Sequence, residues 1–391
     1  MRIPTHLDRY PAKMVFRLAD QLIDRYASSA VRIFDPFCGS GNILLAANRR
    51  GIPVTGLDLN PVAGLLSLVK LYGFNQSNAI VLANQLIEIA QSVKVIFPIQ
   101  WRTKKYWFTP VTLNKFERLR AACHEIDLQK NGDGLAVLLS LAMSIRLCSK
   151  ADQRSPKPFI SKQSKETRKG RHYDPYRILQ NVLQGLSFHY GKPATNTDAK
   201  FISGDVTTDL SIPKRIGKHS HVITSPPYIN AQDYFRNFKL ELYILEDILP
   251  FKIDNLRNRF VGTERGDLLF GVSQERIEKN YAMLPKLKKL NSQNRRLSAV
   301  VHRYLHDMSS AFDIIKDCLE PDAVFILVCG DNLVGGLRIR TWQLLKQMLE
   351  ERGFKLFDQF MDPIESRMLA PKRCGHKGII KEEVVSAFRR H

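Results

Sequence analysis

The chain has 391 residues, 44% of them hydrophobic, enough for one large α/β domain with insertions or for two domains. Lys and Arg number 59 against 38 Asp and Glu, a formal charge of +21, and this excess predicts a polyanionic partner, nucleic acid before any other. No run of eighteen apolar residues predicts a membrane span, Met1 to His6 lacks a secretory apolar core, and six Cys without a CxxC pair fit a reducing cytoplasm and no structural zinc.

In chain order, residues 6–26 begin with His6 to Lys13. They continue as an amphipathic helix with Val15, Leu18, Ala19, Leu22 and Ile23 on one face and Pro11 in its first turn. Val31 to Phe34 reads as a buried strand. Asp35-Pro36-Phe37-Cys38-Gly39-Ser40-Gly41-Asn42 then leads into the helical run from Ile43. Strand, Gly-rich turn and helix make a nucleotide-type cofactor site, with amide donors and the positive dipole end at the helix start. The turn departs from GxGxxG, since no third Gly stands at the expected place.

Val54 to Asp58 is the next strand. Asp58 ends it seventeen positions after Gly41, where an acid can hold both hydroxyls of a ribose. Asp58 to Pro61 also suits the cap of a helix from Val62 to Leu71. Residues 75–198 interrupt the βαβ rhythm, with helices expected near 79–95, 110–127 and 134–149. Basic and aromatic residues meet in Trp101 to Phe108, which includes Lys104 and Lys105. Residues 150–172, with Arg168, Lys169 and Arg171, read as a mobile loop able to clamp phosphates or simply to be solvated.

The sheet resumes at Lys200 to Asp205, whose terminal Asp205 is expected beside an adenine amino group or in a plain turn. His221 to Ile223 follows as a strand end. It runs into Thr224-Ser225-Pro226-Pro227-Tyr228, a stiff, exposed corner at a carboxyl edge, where open α/β sheets place ligands. Ser225 Oγ and the Pro226 carbonyl can accept the two hydrogens of an exocyclic amino group and pull its lone pair out of conjugation. Tyr228 can stack on an extruded base. The plainer reading is a strand-to-loop turn with a core Tyr.

A helix is expected over Leu240 to Leu249, then a polar, basic stretch over 250–303. That stretch holds Lys288, Lys289, Arg295 and Arg296, with no acid between Leu284 and Leu305. A helix at 304–319, a strand from Ala323 to Cys329, a helix from Thr341 to Arg352 and a last strand near Phe354–Phe360 close the chain. Arg367 to Lys377 is another basic loop, and Cys374-Gly375-His376 a lone pair of possible ligands.

Taken together, these blocks resemble bacterial amino-methylating DNA methyltransferases that use S-adenosylmethionine, of the Ser-Pro-Pro-Tyr type. The resemblance lies in His6 to Lys13, Asp35 to Asn42, Asp58, Asp205, Thr224 to Tyr228 and the segment through Tyr234. It is weak for 75–198 and 250–303. It implies a Rossmann-like α/β methyltransferase fold, with a mostly parallel sheet of seven strands whose last strand is antiparallel. Segments 1–74, 199–249 and 304–391 would form the catalytic domain, 75–198 a helical and basic insertion with a target-recognition role, and 250–303 a basic insertion contacting DNA.

The resemblance also implies residue roles. The cofactor would meet Tyr10, Pro11, Lys13, Asp35, Pro36, Phe37, Gly39, Gly41, Asn42, Asp58, Leu59 and Asp205. Catalysis would fall to Ser225, Pro226, Pro227 and Tyr228, acting on a base flipped from double-stranded DNA. Lys104, Lys105, Arg168, Lys169, Arg171, Lys288, Lys289, Arg295 and Arg296 would contact the DNA.

Ser at position 225 is the form usual for methylation of the cytosine amino group (N4), in a restriction-modification setting with a cognate endonuclease. Adenine N6 methylation, methylation of an RNA base and a non-catalytic DNA-binding subunit are the alternatives. A dehydrogenase would need neither the Pro-Pro-Tyr corner nor this much positive charge. No Pro-Cys dipeptide supports a covalent route to ring-carbon methylation.

Overall fold

The structure is a computed structural model that describes residues 14–155, 157–168, 173–190, 198–229, 234–262, 284–364 and 382–391. The amino-terminal half runs α1 (Phe16–Tyr26), β1 (Ile33–Asp35), α2 (Asn42–Arg49), β2 (Val54–Asp58) and α3 (Pro61–Tyr72). Six helices follow: α4 (Gln76–Ser92), α5 (Lys104–Trp107), α6 (Pro110–Glu125), α7 (Gly132–Cys148), α8 (Lys162–Arg168) and α9 (Pro175–Tyr190). The sheet is rejoined through β3 (Ala199–Ser203), α10 (Ile212–Ile216) and β4 (His219–Thr224), ahead of α11 (Tyr234–Asn237), α12 (Lys239–Leu245) and α13 (Ile253–Leu256). The chain ends with α14 (Leu284–Gln293), α15 (Arg295–Asp317), β5 (Leu319–Cys329), the hairpin β6 (Asn332–Val334) and β7 (Leu337–Ile339), α16 (Thr341–Glu350), β8 (Phe354–Pro363) and β9 (Glu382–Arg390).

Seven strands form one sheet in the order β3-β2-β1-β4-β5-β9-β8. The first five are parallel, and β9 runs antiparallel to both of its neighbours. This is the Rossmann-like arrangement that the family resemblance implies, antiparallel last strand included. The central strands are apolar and buried on both sides, as parallel strands covered by helices must be. Alternate side chains feed two cores. Ile33, Ile223, Ile326 and Val385 pack against α1 and α2, while Phe34, Val222, Phe325 and Phe388 pack against α15 and α16. A third core joins α3 and α12 to the helices inserted between β2 and β3.

Several local expectations are corrected. The first helix starts at Phe16, and Val15 lies outside its buried face at 41% exposure. Val31 is exposed ahead of β1, because pairing with β2 begins only at Ile33. Part of the stretch read as a loop is ordered: Asp152 is buried, accepts from Arg154 and Ser161, and precedes α8. The helix expected over 240–249 ends at Leu245. The helix expected at 304 begins at Arg295, because Asn294 caps it by accepting from the Leu297 amide. The 75–198 region holds a further long helix, α9, and the strand near 354–360 is followed by β9, which slots between β5 and β8. The 367–377 loop and the Cys374–His376 pair lie outside the described residues.

Strand order reverses between β1 and β4, so the carboxyl ends of these two strands open a crevice at the sheet edge. Asp35 ends β1, Asp58 ends β2, Asp205 follows β3 and Ser225 follows β4. Four residues spread over 191 positions of sequence are thereby brought to one edge.

Candidate active site

A cavity opens at that edge, and Asp35, Asp58, Asp205, Ser225 and Pro227 all line it. Asp35 is buried; its Oδ1 accepts from Thr224 Oγ1 at 2.8 Å and from the Phe37 amide at 3.2 Å. The Thr224 bond ties the first residue of the Thr224–Tyr228 corner directly to the Gly-rich block. Burial pushes the Asp35 carboxyl up to about 7; the bonds from Thr224 and Phe37 oppose the rise and the nearby Asp58 adds to it.

Asp58 staples the glycine turn. Its Oδ2 accepts from the Gly39 amide at 2.8 Å, and its Oδ1 accepts from the Asn60 amide at 2.8 Å. Desolvation raises it to about 6 against these two bonds. Within the Asp58–Pro61 cap it is Asn60 that caps α3, accepting from the Val62 amide. Gly41 adopts φ +73 at the start of α2 and faces Ser67 of α3 rather than the cavity. A Cβ there would lie 2.6 Å from Ser67 Oγ, which donates to the Gly39 carbonyl at 3.1 Å.

Asn42 lines the cavity, yet its amide is engaged on both sides. It donates to the Met14 carbonyl and accepts from the buried Lys70, which also donates to the Ser40 carbonyl. Pro36, Phe37 and Leu59 supply apolar wall.

Asp205 is 3% exposed. Oδ1 accepts from the Thr207 amide and hydroxyl, closing an Asx turn, and Oδ2 accepts from Arg259 Nε at 2.8 Å. The plain-turn reading of this residue therefore holds, and the turn stands at the cavity wall.

The Thr224–Tyr228 corner is less exposed than expected. Ser225 and Pro227 are half-buried, and Pro226 is buried. The Tyr228 ring, 5% exposed, belongs to the core on the α15 side of the sheet, and its hydroxyl donates to Glu383 of β9. Burial against the core, the Glu383 charge and the bond to it hold the phenol well above its ordinary value.

Met14, Cys38, Thr207, Tyr234, Arg259, Phe260 and Val261 also line the cavity. Tyr234 lay in a segment carrying the family resemblance. Arg259 to Val261 had no motif to reveal them, and only the turn after α13 brings them over Asp205. Of the other expected cofactor contacts, Tyr10, Pro11 and Lys13 lie outside the described residues.

The expected DNA-contacting cations divide. Lys104 is engaged by Glu117 and the Ile99 carbonyl, whereas Lys105 is exposed. Arg168 ends α8, and Lys169 and Arg171 lie outside the described residues. Lys288, Lys289, Arg295 and Arg296 are exposed on α14 and the first turn of α15.

No family model matches the chain. Two relatives are each 21% identical over 410 residues, spanning 89% of this chain and 78% of the relative: "Type II methyltransferase M.AvaI" from Nostoc sp. and from Anabaena variabilis. These relationships support a methyltransferase. Two solved structures of the rRNA methyltransferase aviRa from Streptomyces viridochromogenes align over 99% of this chain and 87% or 93% of theirs. They are 12% and 11% identical with TM-scores of 0.30, too low to carry a structural argument. Among the described residues no helix is long and apolar enough to cross a membrane.

Proposed function

We propose that this protein is a DNA methyltransferase that uses S-adenosylmethionine to methylate the exocyclic amino group of cytosine. The observation that carries the reading is the convergence of Asp35, Asp58, Asp205, Ser225 and Pro227 on one cavity. The residues present suit the cofactor. Carboxylates at three strand ends offer acceptors for ribose hydroxyls, a purine amino group and a cationic centre. Phe37, Leu59, Val206 and Phe260 offer apolar walls for a planar ring. When bound, the cofactor supplies an electrophilic methyl group on a sulfonium.

The chain's own residues supply position and electrostatics. Asp58 is fixed by the Gly39 and Asn60 amides, so its carboxylate is preorganised before any ligand arrives. Asp35 is buried and Asp58 half-buried beside it, so two carboxyls face the place where a cation is to sit, and a cation there would draw their raised values back down. Ser225 Oγ and the Pro226 carbonyl accept the hydrogens of the target amino group and direct its lone pair into the cavity. Two consecutive prolines and the Thr224–Asp35 bond keep that corner rigid. The Tyr228 hydroxyl is committed to Glu383, and its ring is 5% exposed and outside the cavity lining, so the stacking role expected of it from the sequence is not met by this geometry; its part is to anchor the corner from the core side.

The N4-cytosine assignment rests on Ser at position 225 and on the family resemblance. The M.AvaI relatives, named Type II methyltransferases, support a DNA substrate and a restriction-modification setting. The deciding experiment is transfer from labelled S-adenosylmethionine to genomic DNA lacking modification, followed by nucleoside analysis. N4-methylcytosine is the expected product. N6-methyladenine would overturn the base assignment, and transfer to RNA alone would overturn the substrate.

A further inference from the structure

The β6–β7 hairpin, absent from the sequence reading, leaves the sheet where β5 ends, at Cys329. Since β5 is the parallel neighbour of β4, the hairpin rises from the same edge as the Ser225 corner. It is bonded to that corner: Asn332 Nδ2 donates to the Ile229 carbonyl at 3.1 Å, and Thr341 Oγ1 donates back to Asn332 at 2.8 Å. Gly335 and Gly336 make the turn, both with positive φ, as a tight hairpin requires.

On its other side the hairpin meets α14. Lys286 donates to the Arg338 carbonyl, and a Cβ on Gly335 would lie 2.9 Å from Leu290. The outer surface of this assembly is basic. Lys286, Lys288 and Lys289 of α14, Arg295 and Arg296 of α15, Arg338 of the hairpin and Arg340 just after it are all exposed. Asp331, which pairs with Arg338 at 2.7 Å, is half-buried beneath them.

We propose that the β6–β7 hairpin and the α14–α15 elbow form one phosphate-gripping surface. It would hold the backbone of duplex DNA against the corner that receives the flipped base, with Arg338 and Arg340 as its contacts nearest the site. This rests on the reading of the protein as a DNA methyltransferase, and adds to it the surface on which the duplex lies. Cations arranged this way contact phosphates without reading sequence, so their effect is on salt-dependent affinity.

The test is anisotropy titration of a labelled mixed-sequence DNA duplex across a salt series, for the wild type, R338Q/R340Q, K288Q/K289Q and the control K214Q/K218Q. Lys218 sits at the amino end of β4, on the opposite edge of the sheet, and Lys214 lies in the helix just before it. Loss of two phosphate contacts lowers the slope of log affinity against log salt by about 2, so a variant's deficit shrinks about tenfold between roughly 50 and 200 mM salt. That change is expected for both elbow variants and absent in the control. K288Q/K289Q alters only exposed helix positions and keeps the test valid should the hairpin variant fold poorly.

Wild-type slopes in both elbow variants, with DNA methylation by the wild type intact, overturn the surface and leave the proposed function standing. A slope change seen only with an RNA duplex overturns the choice of DNA. A wild type that neither binds nor methylates DNA overturns the underlying reading, and the surface with it.

Discussion

Gly41→Ala is expected to destabilise the protein by about 2–5 kcal/mol. The first part is backbone strain. Gly41 holds φ +73, and an L-residue there pays about 1–2 kcal/mol. The second part is contact. The new Cβ would lie 2.6 Å from Ser67 Oγ, 3.0 Å from its Cβ and 3.1 Å from its Cα. Rotating the hydroxyl away does not relieve the last two, so α3 must retreat from the turn. The bond from Ser67 to the buried Gly39 carbonyl is then lost, at about 1–3 kcal/mol.

Gly51→Ala is the matched control. Gly51 has nearly the same φ, +71, but nothing stands within 4 Å of its Cβ, so only the strain of about 1–2 kcal/mol applies. Urea denaturation followed by Trp fluorescence gives both values, read as a shift in midpoint at constant slope. Gly41→Ala costing no more than Gly51→Ala would refute the claim that this glycine is fixed by close packing of α3 against the turn.

Other outcomes follow from the same geometry. Ser225→Ala is expected to lower turnover by about 10²–10³-fold while calorimetric binding of S-adenosylmethionine persists; full activity would remove Ser225 from the mechanism. Tyr228→Phe strands the half-buried Glu383 carboxylate and should cost about 1–3 kcal/mol in urea denaturation, part of which Tyr228→Phe/Glu383→Gln restores; strict additivity of the two changes would argue against the bond. Asp35 and Asp58 titrate at about 7 and 6 in the folded protein, above the range near 4 of an unfolded chain. The folded state therefore holds the extra protons between about pH 4 and 7, and this stability is complete below that window and lost as pH rises through it. Asp35→Asn keeps an acceptor for Thr224 but cannot ionise, so its melting temperature relative to wild type should climb from pH 5 to 8; a flat or falling difference would refute the buried-charge account.

Local chemistry determined much of this protein from sequence alone. Short apolar runs specify β1, β2 and the end of β4, and the Pro-Pro pair specifies a stiff corner, because these rules act within a few residues. Asp35, Asp58, Asp205 and Ser225 were legible for the same reason: each ends or follows a strand, and the parallel sheet delivers strand ends to one edge. Tertiary structure alone decided the rest. Arg259 reaches Asp205 across 54 positions, and Glu383 meets Tyr228 across 155. No periodicity encodes such pairs, since they depend on where the chain returns. The expected exposed corner became half-buried because β9, unseen in the sequence pattern, slots between β5 and β8 and places Glu383 behind the tyrosine. The β6–β7 hairpin was equally hidden. Its strands are three residues each, too short to show alternation, and only its bond to Ile229 reveals that it stands beside the site.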